Sequence, residues 1–389
     1  MSANGPEITA RTHSRVFGLD ALRAAAISVV VLSHCFAVLN PHFPDTLNFF
    51  CESGFYGVEL FFVLSGFLIG QILLRTGPSI GDSRTLLLFY VRRWFRTLPL
   101  FFLFLAVNVI IEYRVFHHSY RPGEIVQTGL FLRSLTSDGL TFFRESWSLA
   151  VEEWFYLLFP AALAAGLFLG RKFERVFIFA AAAFYLFSTI ARLFTATFAN
   201  YDWGWQRTIV VCRFDALMTG MLVAWVAGRW PGLWQKQARS LAIGGTTLLF
   251  VLYLSLWRIQ DGHLAHAPDS FFASTFRFNL VSLGFALLLP AAAGWTRSHE
   301  NVASWSIRKI ALWSYAMYLV NLPVFALALT NGHFFMNWQN SVSHAFALFA
   351  LVTGATIVTS GLLYQFFEVH CTRLREPVSR WILRHKSNR

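Results

Sequence analysis

The stretch GLDALRAAAISVVVLSHCF, residues 18–36, decides the fold class because it is apolar over a length that can cross a membrane. A bilayer core is about 30 Å thick, and an α-helix needs about 20 apolar residues to cross it. The stretch nevertheless carries Asp20, Arg23 and His34. Ionisable side chains are costly inside a membrane and usually face a protein interior or a water-filled cavity. We therefore expect a membrane helix with a polar functional face.

The rest of the chain is similarly apolar, since 56% of its 389 residues are hydrophobic and 13% are charged. This composition excludes an ordinary soluble domain and predicts an all-α, polytopic transmembrane helical bundle of about ten helices. We predict a cytoplasmic segment over 1–15, a transmembrane domain over 16–367 and a basic cytoplasmic tail over 368–389, with no soluble domain. The predicted spans lie near 16–39, 54–74, 97–112, 147–169, 175–198, 208–228, 240–257, 272–294, 309–330 and 343–367.

The net charge of +12 is better explained by membrane topology than by binding to a nucleic acid. Lysine and arginine concentrate in the loops that share a side with the N-terminus, as the positive-inside rule requires of cytoplasmic loops. Both termini are therefore predicted to face the cytoplasm, and the basic tail is predicted to form a short helix suited to an anionic lipid surface. The sequence contains no metal-ligand spacing, so no metal is expected.

The charged positions of the first span share one helix face. Arg23 and His34 are eleven residues apart, about 1100° of rotation and close to three whole turns, with a rise of about 16 Å. Asp20 lies three residues before Arg23, within ion-pair reach, and we also expect Asp20 to line the substrate site. We interpret His34 as a general base and Arg23 as an anion-binding group. The alternative is that these are interfacial residues at the two wetted ends of a helix.

The second span, GFYGVELFFVLSGFLIG over 54–70, carries Glu59 among aromatic residues. Such a carboxylate needs a partner, and we expect Arg23 or His34 on the preceding helix to supply it. A purely structural ion pair is the alternative. The glycines of this span, Gly54, Gly57 and Gly66, permit close helix approach.

The third span opens with RRWFRTLP, residues 92–99. Arg92, Arg93 and Arg96 form a cationic step at the expected cytoplasmic interface. They are either topological anchors or a cradle for phosphates, which the planar guanidinium suits by its paired donors.

Further polar residues enter predicted spans on the outer side. The fourth span begins ESWSLAVEEWFYLLFP, residues 145–160, in which Ser148 lacks the context of a serine nucleophile. The polar residues that we expect to line a site from this span and from the ninth are Trp147, Ser148, Glu152, Glu153, Tyr156, Tyr318 and Asn321.

The ordered set GLDALRAAAISVVVLSH, GVELFFVLSGFLI, RRWFRTLP and SWSLAVEEWFYLLFP resembles the landmarks of membrane-bound acyltransferase family 3, from about residue 16 to 367. The resemblance implies a bundle of about ten helices in the bacterial inner membrane. It implies transfer of an acyl group, often acetyl from acetyl-CoA or another acyl-CoA, to a hydroxyl. The acceptors it implies are surface carbohydrates such as lipopolysaccharide O-antigen, exopolysaccharide, Nod factor or peptidoglycan, or in some members a macrolide.

By the same resemblance, the essential arginine and histidine of the family correspond to Arg23 and His34. Glu59, Glu152 and Glu153 are then catalytic or orienting carboxylates, and the cluster Arg92, Arg93 and Arg96 joins Arg23 in holding the donor phosphates. Two features depart from the family pattern. Asn321 stands where many members have histidine, and no SGNH-type domain follows, so a separate periplasmic transferase is one conceivable partner.

We therefore expect a cytoplasmic acyl-CoA to place its thioester near His34, which removes the proton of an acceptor hydroxyl on a carbohydrate or lipid-linked glycan. A two-step route through an acylated His34 stays open. A glycolipid transporter or flippase is the alternative from another class, and a non-catalytic glycolipid-binding relative is a third.

Overall fold

The computed structural model describes residues 15–135, 142–198, 203–260, 263–266, 271–297, 299–330 and 341–384. All but the last residue of the predicted N-terminal segment lies outside these ranges. The helices are α1 (Phe17–Phe36), α2 (Pro44–Cys51), α3 (Gly54–Thr76), α4 (Ser83–Arg114), α5 (Pro122–Gly129), α6 (Ser146–Phe168), α7 (Phe173–Phe198), α8 (Trp203–Gln206), α9 (Phe214–Arg229), α10 (Pro231–Lys236), α11 (Ala238–Leu254), α12 (Phe271–Thr275), α13 (Arg277–Gly294), α14 (Val302–Thr330), α15 (Val342–Leu363), α16 (Val369–Arg373) and α17 (Arg375–Arg384).

Within the described ranges, eight helical segments are long and apolar enough to cross a membrane. They are Phe17–Phe36, Asn48–Gly81, Ser83–Arg114, Ser146–Phe168, Phe173–Phe198, Arg277–Gly294, Val302–Thr330 and Val342–Leu383. The other two predicted spans correspond to shorter helices, α9 with 16 residues and α11 with 17. The prediction of an all-α, multi-pass membrane protein is confirmed. The strands found in the described residues form one short antiparallel hairpin, β1 (Trp257–Gln260) with β2 (His263–His266).

Helix α3 is the central element, because it packs against α1, α9 and α13. Two of its glycines make these approaches close. A Cβ atom at Gly57 would overlap the backbone of Ala26 on α1, and one at Gly66 would overlap the carbonyl of Leu217 on α9. Small residues therefore set the spacing of the central helices, as the sequence predicted.

The carboxylate of Glu59 lies between α3, α9 and α13, where Arg213 donates to it and Ser282 Oγ donates at 3.1 Å. All three residues are fully buried. The predicted pairing of Glu59 with Arg23 or His34 is wrong, because the face of α3 that carries Glu59 is turned toward α9 and α13. Glu59 forms a buried structural ion pair with Arg213, which is the alternative that the sequence also allows.

A second buried ion pair holds α7 to the same helices. Arg192 Nη2 donates to Asp215 Oδ2 at 2.8 Å and to Asn279 Oδ1 at 2.8 Å. Arg192 and Asp215 are both fully buried. Because an unpaired charge in such a place is strongly unfavourable, these contacts specify which faces of α7, α9 and α13 meet.

Helix α4 is longer than the predicted third span, since it begins at Ser83 instead of near residue 97. Asp82 caps it by accepting a hydrogen bond from the backbone N–H of Thr85 at 3.0 Å. The arginine cluster therefore lies within a continuous helix that also contains Pro99. Its side chains have fixed directions, which a loop before the span would not have given them.

The described part of the basic tail, residues 368–384, is helical, as predicted, but it contains two short helices. A π-helical turn over Tyr364–Glu368 leads from α15 into α16, and α17 follows. Both α16 and α17 pack against α4. The tail therefore lies beside the arginine cluster. The predicted domain boundary at residue 368 stays a prediction.

Candidate active site

Three cavities lie one after another through the bundle. The arginine cavity, of about 440 Å³, is lined by Arg23 and Arg96 together with residues of α16 and α17. The middle cavity, of about 120 Å³, shares Arg23 and Arg96 with it and is also lined by Val58 and Tyr318. The histidine cavity, of about 380 Å³, shares Val58 and Tyr318 with the middle cavity and contains His34. The predicted stripe from Arg23 to His34 thus runs alongside all three cavities.

Arg23 forms an ion pair with Asp20. The Asp20 carboxylate accepts from Arg23 Nη1 at 3.4 Å and from Arg15 Nη2 at 2.9 Å. This confirms the predicted pair. Asp20 itself is buried and is absent from the lining of the three cavities. Its contribution is to position Arg23, so the structure does not support the predicted substrate contact of Asp20.

Two of the three clustered arginines reach the cavities. Arg93 and Arg96 line the middle cavity, and Arg96 also lines the arginine cavity. The Arg93 guanidinium lies over the ring of Tyr156, 4.5 Å from its centroid, and the Tyr156 hydroxyl is hydrogen-bonded to Ser65. Arg92 is exposed and lines neither of these two cavities. The structure therefore supports an anion-binding position for Arg93 and Arg96 and not for Arg92.

The predicted carboxylates of α6 face the arginines and not the imidazole. Glu152 lines the middle cavity with Arg93 and Arg96. Glu153 is buried and accepts a hydrogen bond from Thr97 Oγ1 at 2.7 Å. The expectation that a carboxylate of α3 or α6 orients His34 is wrong, because these side chains are committed to other partners.

His34 is instead held by Asn321. The distance between His34 Nδ1 and Asn321 Oδ1 is 2.6 Å. Asn321 Nδ2 donates to the carbonyls of Met317 at 3.0 Å and Tyr318 at 2.6 Å. Because the amide nitrogen is committed to these two acceptors, the oxygen must accept, and we assign the proton of the neutral ring to Nδ1. Nε2 then carries the free lone pair that a general base needs.

Ser148 and Tyr318 lie at the junction of the middle and histidine cavities. Their hydroxyl oxygens are 2.5 Å apart, and each hydroxyl also lies 3.2 Å from the backbone carbonyl of Glu145. Trp147, the neighbouring predicted residue, lines the histidine cavity. The structure therefore brings Trp147, Ser148 and Tyr318 to the site, as predicted, and the contact between Ser148 and Tyr318 lies at the boundary between the two cavities.

The sequence analysis missed Glu145, which lines the histidine cavity together with His34. Its side chain is only 5% exposed, and its Oε1 atom has no hydrogen-bond partner among the described residues. Burial raises the pKa of Glu145 to about 8, against a smaller opposing influence of Arg144. No sequence signal marks this residue, because an acidic side chain at the start of an apolar helix is ordinary.

A known protein family matches most of the chain. The family model described as an acyltransferase domain matches residues 16–364. The chain belongs to this acyltransferase family. The resemblance carried by the four ordered motifs is confirmed. The matched range includes His34, Asn321 and the linings of the middle and histidine cavities, whereas Arg15, Glu368 and the residues of α16 and α17 in the arginine cavity lie outside it.

Three curated relatives of this family member are informative. A peptidoglycan O-acetyltransferase of Listeria monocytogenes is 33% identical over 171 residues, which cover 40% of this chain and 25% of the relative. A candidate peptidoglycan O-acetyltransferase of Bacillus subtilis is 33% identical over 181 residues, 42% of this chain and 26% of the relative. A candidate O-acetyltransferase of Staphylococcus aureus strain COL is 32% identical over 178 residues, 42% of this chain and 27% of the relative.

The aligned part of the chain thus spans about a quarter of the length of these relatives. No solved structure matches the chain.

Proposed function

We propose that this protein is an O-acyltransferase of the bacterial inner membrane. It moves an acyl group, with acetyl as the first candidate, from acyl-CoA to a hydroxyl of an exported carbohydrate. The observation that carries the proposal is the row of three cavities, with arginines at one end and His34 at the other. The O-acetyltransferase names of its relatives favour acetyl as the group and peptidoglycan or another surface glycan as the acceptor. Both termini then face the cytoplasm.

The donor occupies the cytoplasmic end. Arg23 and Arg96 bind phosphate through charge-assisted hydrogen bonds, which are stronger than those between neutral groups. The pantetheine arm then lies in the middle cavity and brings the thioester toward the junction at Tyr318. The rise of about 16 Å between Arg23 and His34 on one helix is comparable to the length of that arm.

His34 performs the proton transfers. Its Nε2 takes the proton of the acceptor hydroxyl as the hydroxyl oxygen attacks the thioester carbonyl carbon. The carbon–sulfur bond then breaks, and the proton passes from Nε2 to the departing CoA thiolate. During these steps the ring is positively charged, and the Asn321 carbonyl oxygen stabilises it through Nδ1–H. Asn321 is therefore a positioning residue that acts through His34.

The first experiment compares cells that express the wild type, His34→Ala or no protein. His299→Ala is the control, because it removes an exposed histidine away from the cavities. Ester-linked acyl groups on envelope and secreted glycans are measured by mass spectrometry, after the variants are shown to reach the membrane equally. We expect the ester with the wild type and the control only. Full acylation with His34→Ala would remove His34 from the mechanism.

A second experiment separates transfer from transport. Purified protein is given radiolabelled acetyl-CoA with muropeptides or lipid-linked glycan precursors, and CoA release is followed. Acceptor-dependent thioester consumption supports the transferase. A flippase needs no acyl donor, so glycan movement without consumption of the thioester would refute the proposal. Trapping of a radiolabelled acyl-histidine would favour the two-step route over direct attack.

A further inference from the structure

The C-terminal helices close one side of the arginine cavity. Arg373 from α16 and Arg375 from α17 line it together with Arg15, Arg23 and Arg96. The five guanidinium groups come from three distant parts of the sequence and meet because α16 and α17 pack against α4. A tail that served only as a surface helix would not need to complete a cavity of about 440 Å³.

The order of the arginines along the cavities is informative. Arg23 and Arg96 line both the arginine cavity and the middle cavity, so they lie at the deep end. Arg373 and Arg375 are absent from the lining of the middle cavity, so they lie at the mouth. An acyl-CoA has two phosphate positions in the same order. The diphosphate adjoins the pantetheine arm, and the 3′-phosphate lies beyond it on the ribose.

The charges of the mouth suit an anion. Glu376 is the partner of Arg375, at 2.8 Å, but the two side chains are 57% and 33% exposed. An exposed pair of this kind contributes little, so a phosphate can compete for the guanidinium. Glu368 also lines the cavity, and its Oε2 atom has no hydrogen-bond partner among the described residues. That oxygen is placed to accept from a hydroxyl or amino group of a nucleotide.

We propose that α16 and α17 form the nucleotide-binding wall of the donor site, with Arg373 and Arg375 binding the ribose 3′-phosphate of acyl-CoA. The inference rests on the proposed function and makes it more specific. It gives the tail a role beyond its expected contact with an anionic lipid surface, which stays a prediction. A lipid headgroup offers the same phosphate chemistry, so the experiment must distinguish these two sources.

The test measures binding of CoA and of 3′-dephospho-CoA to the full-length protein in nanodiscs, by isothermal titration calorimetry. The variants are the double substitution Arg373→Gln with Arg375→Gln, and the control Arg380→Gln. Arg380 is an exposed arginine of α17 outside the arginine-cavity lining, so its substitution removes a positive charge of the tail without altering that lining. Each titration is repeated in nanodiscs with and without anionic phospholipid.

We expect the wild type and Arg380→Gln to bind CoA at least about tenfold more tightly than 3′-dephospho-CoA, which is the usual effect of a lost charged hydrogen bond. The double variant should bind both ligands equally, with the affinity that the wild type has for 3′-dephospho-CoA. This pattern should be independent of anionic lipid.

A double variant that still prefers CoA overturns the inference and leaves the proposed function intact. So does a double variant that loses affinity for anionic nanodiscs while its CoA affinity is unchanged, since the arginines then belong to the lipid surface. A wild-type protein that binds neither nucleotide overturns both the inference and the acyl-CoA donor.

Discussion

Replacement of Asn321 by alanine tests the position at which the sequence departs from the histidine that the family resemblance implies. In the structure the Asn321 amide oxygen accepts a hydrogen bond from His34 Nδ1 at 2.6 Å. Within the described residues, Nδ1 has no second hydrogen-bond partner. Asn321→Ala removes the acceptor, so the ring is free to rotate and to place its proton on Nε2. In that tautomer Nε2 is no longer a base.

The size of the loss follows from the charge that develops on the ring. A hydrogen bond to a charged group contributes about 1.5–3 kcal/mol. We therefore expect kcat for acetyl transfer to fall about 10- to 150-fold. KM for acetyl-CoA should change by less than about threefold, because the interaction strengthens only in the transition state.

The assay is CoA release by purified variants at saturating acceptor, with thermal unfolding in detergent as a measure of folding. Asn108→Ala is the matched control, because Asn108 Nδ2 also donates to a carbonyl of its own helix, at 2.8 Å, but Asn108 lines none of the three cavities. Asn321→His, which introduces the histidine that the family resemblance implies at this position, should retain more activity than Asn321→Ala. If Asn321→Ala keeps kcat within about threefold of the wild type, the amide does not hold the imidazole.

Three further outcomes are expected. Glu59→Gln or Arg213→Met should destabilise the protein by about 3–5 kcal/mol in unfolding assays, because one buried charge loses its partner, and equal unfolding midpoints would contradict the ion pair. Gly66→Ala should lower the unfolding temperature, whereas Gly244→Ala, where a Cβ meets nothing within 4 Å, should not. Glu145 has a folded pKa of about 8, above its ordinary 4.5, so the stability it contributes is fully present below pH 4.5 and is lost as pH rises through 8. The unfolding temperature of Glu145→Gln should therefore fall less between pH 6 and pH 9 than that of the wild type. An equal fall in the two proteins would refute this assignment.

The features that one helix determines by itself were predictable. Arg23, Asp20 and His34 belong to α1, and the rise and rotation of an α-helix fix their relative positions. The same regularity made most membrane spans predictable from apolar length. The start of α4 was missed because Ser83–Arg96 is too polar to look like a span, although the helix continues through it.

The features that depend on two helices were not predictable. Glu59 faces Arg213 and not Arg23 because of how α3 is rotated against three neighbours, and no local pattern encodes that rotation. The contact between His34 and Asn321 joins residues that are 287 positions apart. The sequence identified both residues but gave no means of pairing them. The placement of α16 and α17 against α4 is likewise a result of packing, so the wall of the arginine cavity was outside the prediction.

The contact between Ser148 and Tyr318 has a consequence for the cell as well as for the reaction. A row of polar cavities that extends from one face of a bilayer to the other is also a route for leakage of ions, and each charge that crosses gains about 2.3 kcal/mol per 100 mV of membrane potential. The two hydroxyls are 2.5 Å apart where the middle and histidine cavities meet, so their hydrogen bond lies across that route. We therefore expect substitutions that widen this junction to depolarise the membrane even where they leave acyl transfer intact.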